Sequence, residues 1–157
     1  MTAPNPAALF KRSMEKMMDQ KVKDAICREV QREPLAQLFR MELVELEAGF
    51  SAVEMTYEPS VMNNLFARAH GGAIFALIDE AFETVGQTDG TVAVALNVSV
   101  NYVASPESGA RLRAEAREIS RTKRTACYDI RVDDQDGRLI ATCQALAFRT
   151  GKPLPFL

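Results

Sequence analysis

Tryptophan is absent, and a single histidine, His70, stands in a chain of 157 residues. One imidazole beside glycines offers too few ligands for a metal site, so no metal is expected. A Ser-His-Asp arrangement would have to use that same histidine, and no Gly-x-Ser-x-Gly turn accompanies it. The three cysteines, Cys27, Cys127 and Cys143, lie far apart with no Cys-x-x-Cys pair. They suggest neither a disulfide framework nor a zinc site, and a reducing cytoplasm is the simplest expectation. No apolar run approaches the roughly 20 residues of a membrane span. The opening Met-Thr-Ala-Pro-Asn-Pro lacks the pattern of a signal peptide. Nor is there an excess of one charge. With 19 basic and 21 acidic residues the net charge is −2, which favours neither nucleic acid nor an anionic membrane as partner.

What is present is ordinary for a globular domain, with 47% hydrophobic and 25% charged residues. The apolar residues change period along the chain. Asn5-Pro6 reads as an N-cap followed by a first-turn proline. Phe10, Met14, Met17, Met18, Val22, Ala25, Ile26 and Val30 then recur at helical spacing, and the helix should stop at Glu33, before Pro34. This predicts a helical extension over 1–33 and a main domain over 34–157. A turn is expected at Leu35–Phe39. The period then becomes two, with a hairpin of Met41–Glu47 and Phe50–Glu58 around Ala48-Gly49 and a loop over Pro59–Ala69.

A helix apolar nearly all round follows from Gly71 to Val85, with Gly86 as its C-cap. Thr91–Ala104 alternates Val92, Val94, Leu96, Val98, Val100 and Tyr102 against Ala93, Ala95, Asn97, Ser99 and Asn101. The first set is expected to cover the helix. Strands at Arg111–Ser120, Lys123–Asp133 and Arg138–Arg149 complete one antiparallel sheet in an α+β fold. The acidic turn at Asp133–Gly137 is not a calcium loop, because Val132 and Cys143 would fall on its first and twelfth ligand positions.

Chemistry concentrates in Arg68-Ala-His-Gly-Gly-Ala-Ile-Phe-Ala-Leu-Ile-Asp79-Glu80. Glycines opening a helix leave bare backbone N–H groups at its positive end. A carboxylate within an apolar helix is costly unless it has a task. These are two parts of an acyl-transfer site, a holder for a carbonyl oxygen and a base or nucleophile. Gly72 and Asp79 are seven residues apart, which is about 10 Å along one face. Reacting atoms must lie within about 3–3.5 Å, so one helix can hardly serve one carbonyl with both. Two antiparallel copies across a two-fold axis can, and a shared site at a homodimer interface is expected.

The segment resembles the hotdog-fold acyl-CoA thioesterases, especially the PaaI-like branch of phenylacetic acid degradation. The match falls on Asn64, His70-Gly71-Gly72 and Asp79. It continues through Tyr102-Val-Ala-Ser-Pro106, Gly109-Ala-Arg-Leu112 and Ala147-Phe-Arg-Thr150, and spans residues 35–150. The resemblance implies a hotdog fold, an antiparallel sheet wrapped around a long central helix, here with an extra N-terminal helix. It implies hydrolysis of an aryl-acetyl, aromatic or short- to medium-chain acyl-CoA by a cytoplasmic homodimer or dimer of dimers, with CoA as part of the substrate and no separate cofactor.

In that reading Asp79 is nucleophile or general base. The N–H of Gly71 or Gly72 polarises the carbonyl, and His70 and Asn64 position the thioester or its loop. The chain departs from the family where bulky Leu65-Phe66 follows Asn64 and where Glu80 follows Asp79. Leu65, Phe66 and Phe82 are candidates for the acyl pocket wall. Glu83, one turn beyond Asp79, should raise its pKa. Arg121, Lys123 and Arg124, in a turn between strands, suit the phosphates of CoA or form a solvated edge. Two rivals are a non-catalytic acyl-CoA-sensing hotdog protein and a hotdog dehydratase or hydratase.

Overall fold

The computed structural model describes residues 17–157. The first helix, α1, is Gln20–Val30. Asp19 caps it, its carboxylate accepting the Lys21 N–H at 2.8 Å. Of the helix expected from Asn5-Pro6 through Glu33, the described residues carry only Gln20–Val30. Met17–Asp19 is not helical, because Asp19 supplies a side-chain cap at that point. Arg32 and Glu33 form a closing turn on Glu29 and Val30. Asn5-Pro6, Phe10 and Met14 lie outside the described residues. Val22, Ala25, Ile26 and Val30 form the buried stripe, and Val22, Ile26 and Val30 join the main core.

The expected turn at Leu35–Phe39 is a short helix, α2, Pro34–Phe39, with proline at its first turn and Arg40 left-handed at its end (φ 52°). Strands β1 (Glu42–Glu47) and β2 (Phe50–Thr56) form the anticipated hairpin. The following segment carries one extra turn of helix, α3, Pro59–Met62. The central helix α4 is Gly71–Gly86. Gly86 is not its cap. Gln87 closes the helix in a right-handed conformation, and the left-handed glycine is Gly90 (φ +80°), which opens the next strand.

Strands β3 (Thr91–Tyr102), β4 (Arg111–Arg121), β5 (Thr125–Asp134) and β6 (Leu139–Pro153) complete one sheet, ordered β1-β2-β4-β5-β6-β3 with every pair antiparallel. All six strands touch α4, so the sheet wraps the helix. Leu77, Ile78, Ala81 and Val85 of α4 are buried completely against Val53, Ala114, Ala116 and Val132 of the sheet. On β4 the alternation reads as expected. Leu112, Ala114 and Ala116 point inward, while Arg111, Arg113 and Arg117 pair outward with Glu42, Glu45, Glu54 and Glu115.

On β3 the expected faces hold in the second half, whereas upstream only Val92 of the helix-facing set packs against the core. Ala95 pairs with Ala147 and Asn97 with Leu146, so Leu96 is a bulge residue opposite nothing. Cross-strand partners share a face. Ala95 therefore sits on the inner face with buried Ala147, and beyond the bulge Val98 and Val100 do so with Ala145 and Cys143. Val94 and Leu96, expected against the helix, are exposed at 47% and 57%. Both β1 and β3 are edge strands, and β3 is the longer.

Candidate functional site

The start of α4 is held from three sides. His70 is its N-cap, and the ring Nδ1 accepts the Gly72 N–H at 3.0 Å. The His70 N–H donates to the Met62 carbonyl at 2.7 Å, fixing where the loop enters the helix. Tyr102, at the end of β3, donates its hydroxyl to the Gly71 carbonyl at 2.9 Å. A Cβ on Gly71 would lie 3.1 Å from the Tyr102 ring, so any larger residue would have to push that ring back by a few tenths of an ångström. The Gly71 N–H has no acceptor among the described residues. Of the two glycine donors, Gly72 is committed to the cap and Gly71 is open.

Asn64 organises the preceding loop. Its Oδ1 accepts the N–H groups of Phe66 (2.8 Å) and Arg68 (3.2 Å), and its own N–H donates to the Arg68 carbonyl. This tight turn places Ala67 in the left-handed region (φ 53°) and thrusts Leu65 and Phe66 outward, at 98% and 81% exposure. Neither residue lines the cavity that holds Gly71 or the one that holds Asp79. Asn64, Arg68, Gly71, Ile74, Tyr102 and Ser105 line a cavity of about 370 Å³.

Asp79 lies elsewhere, in a cavity of about 250 Å³ with Phe82, Glu83, Gly86, Ala93, Ala95 and Ala147. Its carboxylate has no hydrogen-bond or ion-pair partner among the described residues, so no arginine among them neutralises it there. Burial raises its pKa. The direction matches the expectation, but burial, not the Glu83 charge, is the cause. On Glu83, burial, Glu33 and then Asp79 all push the pKa up. The structure thus brings Asn64 and Gly71 together, and separately Asp79, Phe82 and Glu83. It leaves the two sets at opposite stretches of one helix.

The cations divide likewise. Arg121 is engaged by Asp89 and Glu118. Asp89 also holds Arg149 and accepts from Thr91, a cluster that fastens the turn after α4 to the sheet. Lys123 and Arg124 are exposed in the turn between β4 and β5. Arg121 is thus poorly placed for a phosphate, and Lys123 and Arg124 remain available. Tyr102 and Glu33 escaped sequence reasoning. Tyr102 reads as one more apolar strand residue, and Glu33 lies 46 residues from Asp79 (79 − 33), with no local motif. Glu80 is buried, and its pKa is pushed up to about 8 by burial and by the neighbouring Glu33 and Glu83 charges.

Known proteins share this fold. Residues 66–141 match the family model described as Thioesterase superfamily. The acyl-coenzyme A thioesterase PaaI of Escherichia coli is 28% identical over 116 residues, covering 74% of this chain and 82% of that protein. The solved E. coli PaaI structure superposes with a TM-score of 0.81 at 25% identity, covering 87% of this chain and 98% of that one. The phenylacetic acid degradation protein PaaI of Thermus thermophilus, in mutant form, gives 0.71 at 32% identity, covering 74% and 99%. A Streptococcus mutans protein solved with acetyl CoA bound gives 0.69 at 30% identity, covering 73% and 91%. With the six-stranded sheet wrapped on α4 and the His-Gly-Gly start seven to nine residues before a half-buried aspartate, these matches place the chain in the thioesterase superfamily, as a PaaI-like hotdog-fold enzyme.

Proposed function

We propose that the protein hydrolyses an acyl-CoA thioester to the free acid and CoA, at sites shared between two copies of the chain. The observation that carries this is the Asp79 carboxylate, half-buried, unpaired among the described residues and set against apolar walls. Asp79 acts as general base, taking a proton from water as its oxygen attacks the thioester carbon, or attacks that carbon itself to form a mixed anhydride that water then hydrolyses to the free acid and the regenerated carboxylate. The Gly71 N–H of the second copy stabilises the oxyanion. Collapse of the tetrahedral species breaks the C–S bond and releases CoA as thiolate, which takes up a proton. His70 and Asn64 hold the donor helix and its loop in position rather than exchanging protons.

Two features support the dimer. The α4 spacing keeps Gly71 and Asp79 of one chain about 10 Å or more apart. The long edge strand β3 exposes Val94 and Leu96, and unpaired edges of this kind seek a partner strand. A second copy would also cover Leu65 and Phe66, which then join Phe82 and Glu83 around an aryl-acetyl, aromatic or short- to medium-chain acyl group. Lys123 and Arg124 suit the CoA phosphates. No helix among the described residues is long and apolar enough to cross a membrane. The free thiols Cys27, Cys127 and Cys143 fit a reducing cytoplasm.

A panel of acyl-CoAs tests the reading by release of free thiol. Turnover of at least one member, abolished in Asp79→Asn with binding retained, is the expected result. Binding of every acyl-CoA without thiol release by the wild type would overturn the reaction. Hydrolysis in ¹⁸O-water under single turnover separates the two roles of Asp79, since only attack by the aspartate itself carries label into its side chain.

A further inference from the structure

We propose that Glu33, Glu80 and Glu83 form a binding site for one hard divalent cation, which joins the α1–α2 junction to the flank of α4. One oxygen from each carboxylate lies within 4.8 Å of the others. A cation bound at roughly 2.0–2.6 Å from each fits that span. Glu33 is the N-cap residue of α2, yet its side chain makes no capping hydrogen bond. Instead it faces α4, where Glu80 and Glu83 are three residues apart and project to one side.

Glu80 is only 3% exposed, lines a cavity of about 500 Å³, and its Oε1 has no hydrogen-bond partner among the described residues. A buried, unpartnered carboxylate oxygen beside two more carboxylates is costly, and a cation reverses that cost. The cations of the described residues do not supply it. Arg32 borders the same cavity but pairs with Glu29, as does Arg28, and no lysine or arginine among the described residues pairs with any of the three carboxylates.

An all-oxygen ligand set selects magnesium, calcium or manganese over softer metals. Thr84 spends its hydroxyl on the Glu80 and Ala81 carbonyls and on Ser51, and Gln87 spends its amide on Ala93. Water from the cavity completes the coordination. The site borders the chain's acyl-transfer machinery: Glu83 also lines the cavity into which Asp79 opens, whereas Glu33 and Glu80 do not. The cation's effect is to clamp the α1–α2 layer onto the central helix.

Manganese is the probe, followed by loss of its free-ion electron spin resonance signal on titration into the full chain. One saturable site per chain is expected, with affinity lowered at least about tenfold in Glu80→Gln and in Glu83→Gln. Glu83 is exposed, so its variant keeps the fold even if the buried one does not. The wild-type melting temperature should rise with manganese, and that of Glu80→Gln should not. Competition by magnesium and by calcium tells which ion the site prefers. No saturable binding up to the order of 1 mM, or wild-type affinity in both variants, would sink the proposal.

Discussion

The hydroxyl of Tyr102 donates to the carbonyl of Gly71 at 2.9 Å, tying the end of the edge strand to the first turn of the central helix. Gly71→Ala would press a methyl group against the Tyr102 ring, 3.1 Å away. The displaced helix start should slow thiol release by roughly 10²-fold, the usual cost of about 1 Å of misplacement. Tyr102→Phe keeps the ring and loses one hydrogen bond, so about 1 kcal/mol of stability and a smaller rate loss are expected. Equal kinetics in wild type and Gly71→Ala would remove Gly71 from the site.

His70 is read as a cap, and two substitutions separate that role from proton transfer. Asparagine can accept the Gly72 N–H much as the imidazole does. His70→Asn should therefore retain activity and melting temperature, whereas His70→Ala should lose about 1 kcal/mol. A rate collapse in the folded asparagine variant would make the histidine an acid or base.

Ionised Asp79 is the reactive form, and burial holds its pKa above the ordinary carboxylate value of 3.8. The rate constant kcat/KM should thus climb with pH through a midpoint above that value and then level. Asp79→Asn should lower kcat by about 10²–10⁴ and erase the limb. An unchanged acid limb in that variant would assign it to another group.

Asp89 behaves in the opposite sense. Burial alone would raise its pKa, but the Thr91 hydroxyl, Arg121 and Arg149 outweigh burial and hold it below 3.8. The folded state therefore binds the proton less readily than the unfolded state. The stabilisation is complete above the ordinary carboxylate range and is lost as pH falls through the depressed folded value. Asp89→Asn should destabilise the protein by about 1–3 kcal/mol at neutral pH, with the gap narrowing in acid. Denaturant melts across pH measure it.

The exposed side chains of β3 bear on assembly. Leu96→Lys should leave circular dichroism intact while shifting the sedimentation coefficient to that of a single chain and abolishing turnover. A monomer that hydrolyses acyl-CoA at the wild-type rate would contradict the shared site.

Most of the architecture was legible in the chain because the buried stripe of α4 and the period of β2 and β4 are each dictated by a single packing partner. The His-Gly-Gly start and Asp79 were equally readable, since both lie on one uninterrupted helix. What escaped depends on contacts distant in sequence. Arg121 looked available in its basic turn, but Asp89 and Glu118 claim it. Glu33 meets Glu80 only because the chain reverses at Pro34. Asp19 could be recognised as a cap only once its carboxylate was seen on Lys21, as the apolar stripe continues upstream of it. The faces of β3 were misassigned upstream of Leu96, because a bulge has no marker in an alternating run of valines and alanines.

That bulge lets β3 change parity in mid-strand. Were Leu96 paired like its neighbours, strict alternation along the chain would force one half of the strand to turn over, bringing either Val94 against the helix or the Val98–Val100 pair out to the rim. The residue that looks dispensable by pairing is the one that lets a single strand serve as wall on one stretch and as lining on the other.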